Sequence, residues 1–147
     1  MQNDLNHDSK YFIKPPYNSV KSVIKTALGR LEIDGPIAAD VLKDYRLADG
    51  LNCFRPSARQ HTALVDLAGH PDGLVFTASL AKTVISYVSF QKPDYAWWQK
   101  RCLAEVIELG GLETDLALRK MGITKMLMDS IFKNPDFKYF EDYIVLA

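Results

Sequence analysis

The sequence predicts one α/β or α+β domain, because segments with a strand period and segments with a helix period alternate along a 147-residue chain that is 48% apolar. Residues 30–37, RLEIDGPI, alternate apolar and polar residues, as a half-buried strand does. Residues 74–80 and 83–90 are rich in β-branched and aromatic residues and predict a β-hairpin. Helically spaced apolar residues predict a helix from about Gly122 until Asn134-Pro135 ends it: Ile123, Met126, Leu127 and Ile131. Strands and helices are therefore expected to share one core.

The elements before the hairpin are less regular. Residues 1–18 contain polar residues and Pro15-Pro16 without a clear period, which indicates an extended arm. Residues 20–28 are compatible with a helix or a strand, and their spacing favours a helix. A short helix is expected around residues 41–45. A longer one is predicted from Ser57, because S-x-x-Q is a capping-box pattern, and four residues form its apolar face before Gly69: Ala63, Leu64, Leu67 and Ala68.

Two further strands are expected after the hairpin. The apolar run Leu103–Leu109 predicts a central strand, and Tyr143–Leu146 predicts a last strand. Between the hairpin and the central strand lies an aromatic stretch, residues 95–98, for which the commoner arrangement is one buried and one exposed indole.

Composition and charge limit the classes of partner. Lys+Arg and Asp+Glu both total 18, so the net charge favours neither a nucleic-acid nor a membrane partner. The amino terminus lacks the pattern of a secretory signal, and no apolar stretch is long enough to cross a bilayer, which indicates a cytoplasmic protein. Cys53 and Cys102 are expected to be reduced thiols, and the spacing of Cys53, His61 and His70 matches no zinc site, so no metal is expected.

The most informative segment is the junction between the central strand and the helix that follows. Arg119 and Lys120 supply cationic side chains, and Gly122 lies where the helix starts. Unpaired N–H groups and the helix dipole make such a junction an anion site, and glycine permits close approach of a phosphate. The sequence therefore predicts a phosphate-bearing ligand at this loop.

The same loop carries a family resemblance. Residues 119–124, RKMGIT, resemble the R/Q-x-x-G-x-G/A pyrophosphate loop of the GCN5-related N-acetyltransferases (GNATs), from which Thr124 departs. Over residues 29–147, GRLEIDGPIAADVL, FRPSARQHTALVDLAGHPDG and VIELGGLETDLALRKMGI resemble the acetoin-utilisation acetyltransferases. Leu116 and Leu118 stand where that family has a proline and a tyrosine. The resemblance implies a GNAT-like domain over residues 29–147 after an arm over 1–28, with a mixed central sheet and flanking helices, ending after the fifth strand without the family's carboxy-terminal part.

The resemblance also implies the site. The backbone of Leu112, Glu113 and Thr114 matches the segment that holds the pantetheine arm and acetyl carbonyl of acetyl-CoA. The pyrophosphate loop comprises Arg119, Lys120, Met121, Gly122, Ile123 and Thr124. Glu108 and Glu113 flank the expected acetyl position, and Glu108 matches the glutamate base of related lysine acetyltransferases. An amine must lose a proton before it attacks a thioester, so Glu108 is the favoured general base. A solvated carboxylate at the strand end is the alternative for either residue.

Two functions are compatible with these features. The first is an acetyl-CoA-dependent N-acetyltransferase that acetylates a protein lysine, by resemblance one of an acyl-CoA or acetyl-CoA synthetase in acetoin and acetate metabolism. The second is a non-catalytic acyl-CoA-binding or protein-interaction module, suggested by Thr124, Leu116 and Leu118. Whether the protein forms a homodimer is left open.

Overall fold

The fold is a mixed sheet with helices on its faces. A computed structural model describes residues 20–91, 107–137 and 144–146. For Ile107 and residues 144–146 it describes the backbone alone. Within these ranges the sheet has seven strands, β1 to β7: Val20–Thr26, Gly29–Gly35, Arg46–Leu47, Gly73–Leu80, Thr83–Gln91, Ile107–Thr114 and Ile144–Leu146. Their order is β1-β2-β4-β5-β6-β7, and β3 pairs with the start of β5. The β3–β5 and β6–β7 pairs are parallel and the others antiparallel.

Three α-helices accompany the sheet in the described ranges. They are α1, Ala39–Leu42; α2, Ser57–Gly69; and α3, Ile123–Lys133, which a 3₁₀ turn at Leu116–Leu118 precedes. Tyr87 of β5 contacts α2 through Gln60, whereas its neighbour Ser86 bonds to Thr114, which in turn bonds to Thr124 of α3. Successive strand residues point to opposite faces of a sheet, so α2 and α3 lie on opposite faces. The predicted α/β class, with a mixed sheet and flanking helices, is confirmed.

The expectation of a helix over residues 20–28 is wrong. Residues Val20–Thr26 form β1, which pairs with β2 along its whole length, from Val20 opposite Gly35 to Thr26 opposite Gly29. Burial alternates along this strand with a period of two, and Val20 is buried whereas Val23 is 52% exposed. The β-branched residues fit this half-buried strand, and their helical spacing was coincidental. The rest of the predicted arm, residues 1–19, lies outside the described residues.

The capping-box prediction is also wrong. Helix α2 starts at Ser57 as expected, but Pro56 is its N-cap and no side chain caps it. The Gln60 side chain instead points into the protein and donates to the Tyr87 hydroxyl. The rest of the helix agrees with the prediction, since Leu64 and Ala68 are buried and the helix ends at Gly69.

The strands around the centre of the sheet are largely as predicted. The hairpin is confirmed, and Ala81 and Lys82 both adopt positive φ, as a two-residue turn of this kind requires. The central strand was predicted at Leu103–Leu109, but the described strand β6 runs from Ile107 to Thr114, and residues 103–106 lie outside the described part. The last strand is confirmed at Ile144–Leu146, whereas the aromatic stretch at 95–98 is not described.

The buried apolar residues form one core, part of which lies between the sheet and α3. On α3, Ile123, Leu127 and Ile131 are buried at helical spacing, as predicted. The Phe76 ring of β4 packs edge-on against Phe90 of β5, with a centroid separation of 5.8 Å, and against Phe137, which follows α3, at 5.1 Å. This packing fixes the helix against the sheet and thereby positions its first turn.

Candidate functional site

The first feature of the site is an opening in the sheet. Strand β6 pairs with β5 as far as Thr114, but β7 pairs only with Ile107–Leu109. Backbone groups of Gly110–Thr114 that point away from β5 therefore have no strand partner in the described ranges. A β-bulge adjoins the opening, because Ser89 lies opposite Gly111 and Phe90 opposite Leu109, leaving Gly110 without a counterpart. An extended ligand with amide groups can bind along such an edge.

The second feature is the first turn of α3. Gly122 is the N-cap and has φ +77°, a left-handed conformation that glycine adopts without steric cost. The first intrahelical bond is donated by the Met126 N–H to the Gly122 carbonyl at 3.0 Å. In the part of the chain that the structure covers, the N–H groups of residues 123–125 make no backbone hydrogen bond. They are therefore available to an anion, which the helix dipole also favours.

A cleft of about 610 Å³ joins the two features. Arg119 and Lys120 add positive charge to it, and the Lys125 ammonium lies in the first turn, 2.6 Å from the Asp129 carboxylate. The residues that line the cleft are Leu112, Glu113, Thr114, Leu118, Arg119, Lys120, Gly122, Ile123, Thr124 and Lys125.

The cleft brings together most of the predicted binding residues. Of these, Met121 is absent from its lining and is 41% exposed. Sequence reasoning missed Leu118 and Lys125 as lining residues. Lys125 could have been found, because a cation three residues after Gly122 falls in the first helical turn, next to the predicted anion site.

Thr124, which departs from the loop pattern, is the start of a chain of hydroxyl groups. The Ser86 hydroxyl donates to the Glu113 carbonyl at 2.9 Å, so its oxygen must accept from Thr114, 2.9 Å away. The single proton of Thr114 is then used, and Thr124 must donate to Thr114 across 2.6 Å. The Thr124 hydroxyl therefore ties the first turn of α3 to β6.

Glu113 has its carboxylate inside the protein, where the side chain is 4% exposed. Oε1 accepts the Cys53 N–H at 2.8 Å, and Oε2 accepts the Tyr87 hydroxyl. Tyr87 in turn accepts from Gln60 Nε2 at 2.7 Å. Burial, followed by the hydrogen bond and charge of Glu113, raises the pKa of Tyr87 far above its ordinary value. Both carboxylate oxygens of Glu113 thus have a protein partner.

Glu108 is in a different environment, near the other end of β6. It is partly buried, and its Oε1 accepts from Gln91 Nε2 at 3.2 Å. Gln91 lies opposite Glu108, and Tyr87 lies opposite Glu113. Because Tyr87 and Gln91 are four positions apart on β5, their side chains point to the same face, and the two glutamates opposite them share the α2 face of the sheet. The predicted pair is therefore on one face, with the β-bulge between its members.

The remaining polar residues show structural contacts. His61 Nε2 lies 2.9 Å from the Leu42 carbonyl and can link α2 to α1. The Arg119 guanidinium lies 3.1 Å from Cys53 Sγ. Across the described ranges, no three His, Cys, Asp or Glu side chains are grouped as metal ligands would be. None of the helices in those ranges has the length and apolar character needed to span a bilayer.

Comparison with known proteins finds curated proteins of similar sequence and solved structures of similar fold. No model of a protein family matches the sequence. Acetoin utilization protein AcuA of Bacillus subtilis is 36% identical over 125 residues, which are 84% of this chain and 58% of that protein. The crystal structure of an acetoin utilization protein from Exiguobacterium sibiricum has a TM-score of 0.74 and 32% identity, covering 89% of this chain and 63% of that one. Over the residues that match, the chain is therefore similar to acetoin utilization proteins.

Solved GNAT acetyltransferase domains share the fold of this chain at much lower sequence identity. The GNAT domain of S. lividans PAT has a TM-score of 0.52 and 15% identity, covering 82% of this chain and 73% of that domain. The GNAT-like arrangement predicted from the loop at residues 119–124 is thereby confirmed. The chain spans somewhat more than half the length of the curated relative it matches.

Proposed function

We propose that the protein is an acetyl-CoA-dependent N-acetyltransferase that transfers an acetyl group to a lysine side chain of another protein. The observation that carries this proposal is the cleft that connects the unpaired edge of β6 with the free N–H groups of α3. A ligand with a diphosphate at one end and an amide-containing arm at the other fits these two features, and CoA is such a ligand.

The residues present fit acetyl-CoA. N–H groups of residues 123–125 can hold the pyrophosphate, and Arg119 and Lys120 can neutralise its charge. The backbone of Leu112–Thr114 can hold the pantetheine arm, as the resemblance implies. When bound, acetyl-CoA supplies an acetyl thioester, at which the amine nitrogen forms an N–C bond while the C–S bond breaks and the sulfur leaves with a proton.

Glu108 is the proposed general base, which takes a proton from the acceptor ammonium. Among the described residues, the Glu108 carboxylate accepts one hydrogen bond, from Gln91, and it has the capacity to accept another. Glu113 suits this role less well, because Tyr87 and Cys53 already bond to its two oxygens and its side chain is buried. The proposed role of Glu113 is to hold the residues 53–55 against the sheet beside the cleft.

The acceptor protein is proposed to be an acyl-CoA or acetyl-CoA synthetase, acetylated on its active-site lysine. The support for this partner is the resemblance of the sequence to the acetoin-utilisation acetyltransferases, together with the acetoin utilization name of the relatives. The second candidate function is a module that binds acyl-CoA without catalysis. The bulk of Thr124 within the loop favours it, because the family usually has a smaller residue there.

The proposal is tested by calorimetric titration with acetyl-CoA. Gly122→Pro should abolish binding, because proline cannot adopt φ +77° and removes a loop N–H. Gly122→Asn is the matched control, since asparagine tolerates the left-handed region, and no described atom lies within 4 Å of the position of its Cβ. It should keep an affinity close to that of the parent. A folded Gly122→Pro variant with unchanged affinity would contradict the site.

Transfer is measured separately, with lysine-containing proteins as acceptors. Acetyl-CoA binding together with acetylation of a synthetase lysine would support the enzyme. Binding without transfer to any lysine would support the non-catalytic module. The binding and transfer assays therefore distinguish the two candidate functions.

A further inference from the structure

Cys53 lies in the segment between β3 and α2 and contacts the proposed donor site at two points. Its backbone N–H donates to Glu113 Oε1 at 2.8 Å, and its sulfur lies 3.1 Å from an Nη atom of Arg119. A guanidinium has five N–H donors and no acceptor, so Arg119 donates this bond and the sulfur accepts it. Cys53 therefore joins the end of β6 to the residue that opens the loop beside the cleft.

The backbone of Cys53 is firmly held, although its side chain is exposed. The carboxylate that accepts its N–H belongs to Glu113, which is 4% exposed and whose second oxygen is bound to the Tyr87 hydroxyl. Three residues before Cys53, Gly50 packs so closely against the turn after β6 that the Asp115 carboxylate leaves no room for a Cβ there. The Cys53 sulfur thus projects from a segment that is fixed against β6 at two places.

Arg119, in contrast, has few restraints of its own. It is exposed, it lines the cleft, and among the described residues the Cys53 sulfur is the one hydrogen-bond partner of its guanidinium. Ordering a long side chain of this kind when a ligand binds costs the equivalent of about a two- to tenfold loss of affinity. A guanidinium that is already held at the cleft avoids much of that loss.

We propose, resting on the acetyl-CoA-dependent function above, that Cys53 is a positioning residue, whose sulfur holds the Arg119 guanidinium at the cleft for the diphosphate of acetyl-CoA. The contact occupies one N–H donor and leaves the others for phosphate oxygens. A neutral sulfur is a weak acceptor, so it orients the guanidinium without neutralising the charge that the ligand requires. A carboxylate in its place would compete with the phosphates.

The affinity for acetyl-CoA, measured by calorimetry on the purified chain, tests this role with three variants. Cys53→Ala removes the acceptor and should weaken binding about two- to tenfold. Cys53→Ser keeps an acceptor at this position and should retain most of the affinity. Asn52→Ala is the matched control, because Asn52 is also exposed and its side chain makes no hydrogen bond to another described residue. It should bind acetyl-CoA as the parent does.

A double-mutant cycle decides whether Cys53 acts through Arg119. Arg119→Met keeps an aliphatic stem but lacks the guanidinium, so it should bind acetyl-CoA about tenfold more weakly. In this background Cys53→Ala should cause no further loss, because the group that Cys53 positions is absent. If Cys53 only supports the fold, its replacement weakens binding equally in both backgrounds, and that result overturns the proposal.

The mobility of Arg119 in the ligand-free protein provides a second readout, which does not depend on acetyl-CoA. Relaxation of ¹⁵N in arginine Nε–H groups measures it on the picosecond to nanosecond timescale. In the parent, Arg119 should be more ordered than Arg59, which is exposed on α2 and makes no side-chain hydrogen bond within the described ranges. Cys53→Ala should reduce the order of Arg119 to that of Arg59, whereas Cys53→Ser should not. Equal mobility of the two arginines in the parent would overturn the proposal.

Failure of this inference is distinguishable from failure of the proposed function. A folded Cys53→Ala variant with unchanged affinity for acetyl-CoA overturns the role of Cys53 and leaves the acetyl-CoA site intact. An equal loss of affinity in Cys53→Ser and Cys53→Ala overturns it as well, because the acceptor would then be irrelevant. If the parent does not bind acetyl-CoA although Cys53 orders Arg119, the positioning role stands and the acetyltransferase function falls.

Discussion

Replacing Tyr87 by phenylalanine should destabilise the protein by about 3–5 kcal/mol at pH 7. The ring is fully buried, and its hydroxyl lies between Gln60 Nε2 and Glu113 Oε2. Phenylalanine fills the same space but leaves both partners without that bond. An unsatisfied buried polar group costs about 1–3 kcal/mol, and a carboxylate more, which gives the stated range. The loss is large because two groups, one of them acidic, are affected at once.

The cost of Tyr87→Phe should shrink above pH 10. Burial and Glu113 raise the pKa of Tyr87, so the folded state keeps the phenolic proton at pH values where the unfolded chain has lost it. The unfolded state then binds fewer protons, and stability falls as pH rises. Each pH unit above the ordinary tyrosine pKa removes up to about 1.4 kcal/mol from the parent through this group. The variant lacks this contribution, so the two stabilities converge.

Urea unfolding of the parent and the variant, at pH 7 and at several values above pH 10, measures both effects. Tyr45→Phe is the control at pH 7, because Tyr45 is partly exposed and its hydroxyl makes no hydrogen bond among the described residues. It should change the stability by no more than about 0.5 kcal/mol. Equal destabilisation by the two substitutions at pH 7 would refute the buried network, and a constant cost of Tyr87→Phe with pH would refute the linkage.

Two further predictions concern the cleft and the reaction. Glu108→Gln should lower kcat by about 10²–10⁴ with unchanged acetyl-CoA affinity, whereas Glu113→Gln should lower it less. Higher pH should partly restore Glu108→Gln, because more of the acceptor lysine is then neutral, and equal rates of parent and variant across pH would exclude Glu108 as the base. Thr124→Val should cost about 1 kcal/mol of stability but leave acetyl-CoA affinity near that of the parent, since the Thr124 proton is already donated to Thr114. A tenfold loss of affinity in calorimetry would show that the hydroxyl binds the ligand.

Elements with strong local patterns were predictable from the sequence. The helix at Ile123–Lys133 has a single apolar face bounded by Gly122 and Asn134, and the structure retains each of these features. The hairpin was predictable from its β-branched runs, although its turn was not, because neither Ala81 nor Lys82 favours the positive φ that it adopts. Strand pairing on both sides imposes that turn despite its local cost.

The predictions from sequence that proved wrong concern segments whose structure depends more on long-range contacts than on the local pattern of residues. Gln60 follows Ser57 at capping-box spacing, but Tyr87, 27 residues further along the chain, is the partner of its side chain. Residues 20–26 have apolar spacing compatible with a helix, yet β2 supplies a full antiparallel partner. A buried hydrogen-bond network and strand pairing both depend on residues distant in sequence, so no local window of the sequence contains them.

The β-bulge in β6 determines which face of the sheet Glu108 and Glu113 occupy. Glu108 and Glu113 are five positions apart, and in a regular strand an odd separation places side chains on opposite faces. The extra residue, Gly110, shifts the register between Ser89 and Phe90, so both glutamates come to lie on the α2 face. Leu112 and Thr114 meanwhile line the cleft from the other face, where Thr114 bonds to α3. One inserted glycine therefore separates the face that meets α3, where the proposed donor site lies, from the face that carries Glu108 and Glu113. This arrangement fits the proposed function, in which the acetyl donor and the amine acceptor approach one strand from opposite sides.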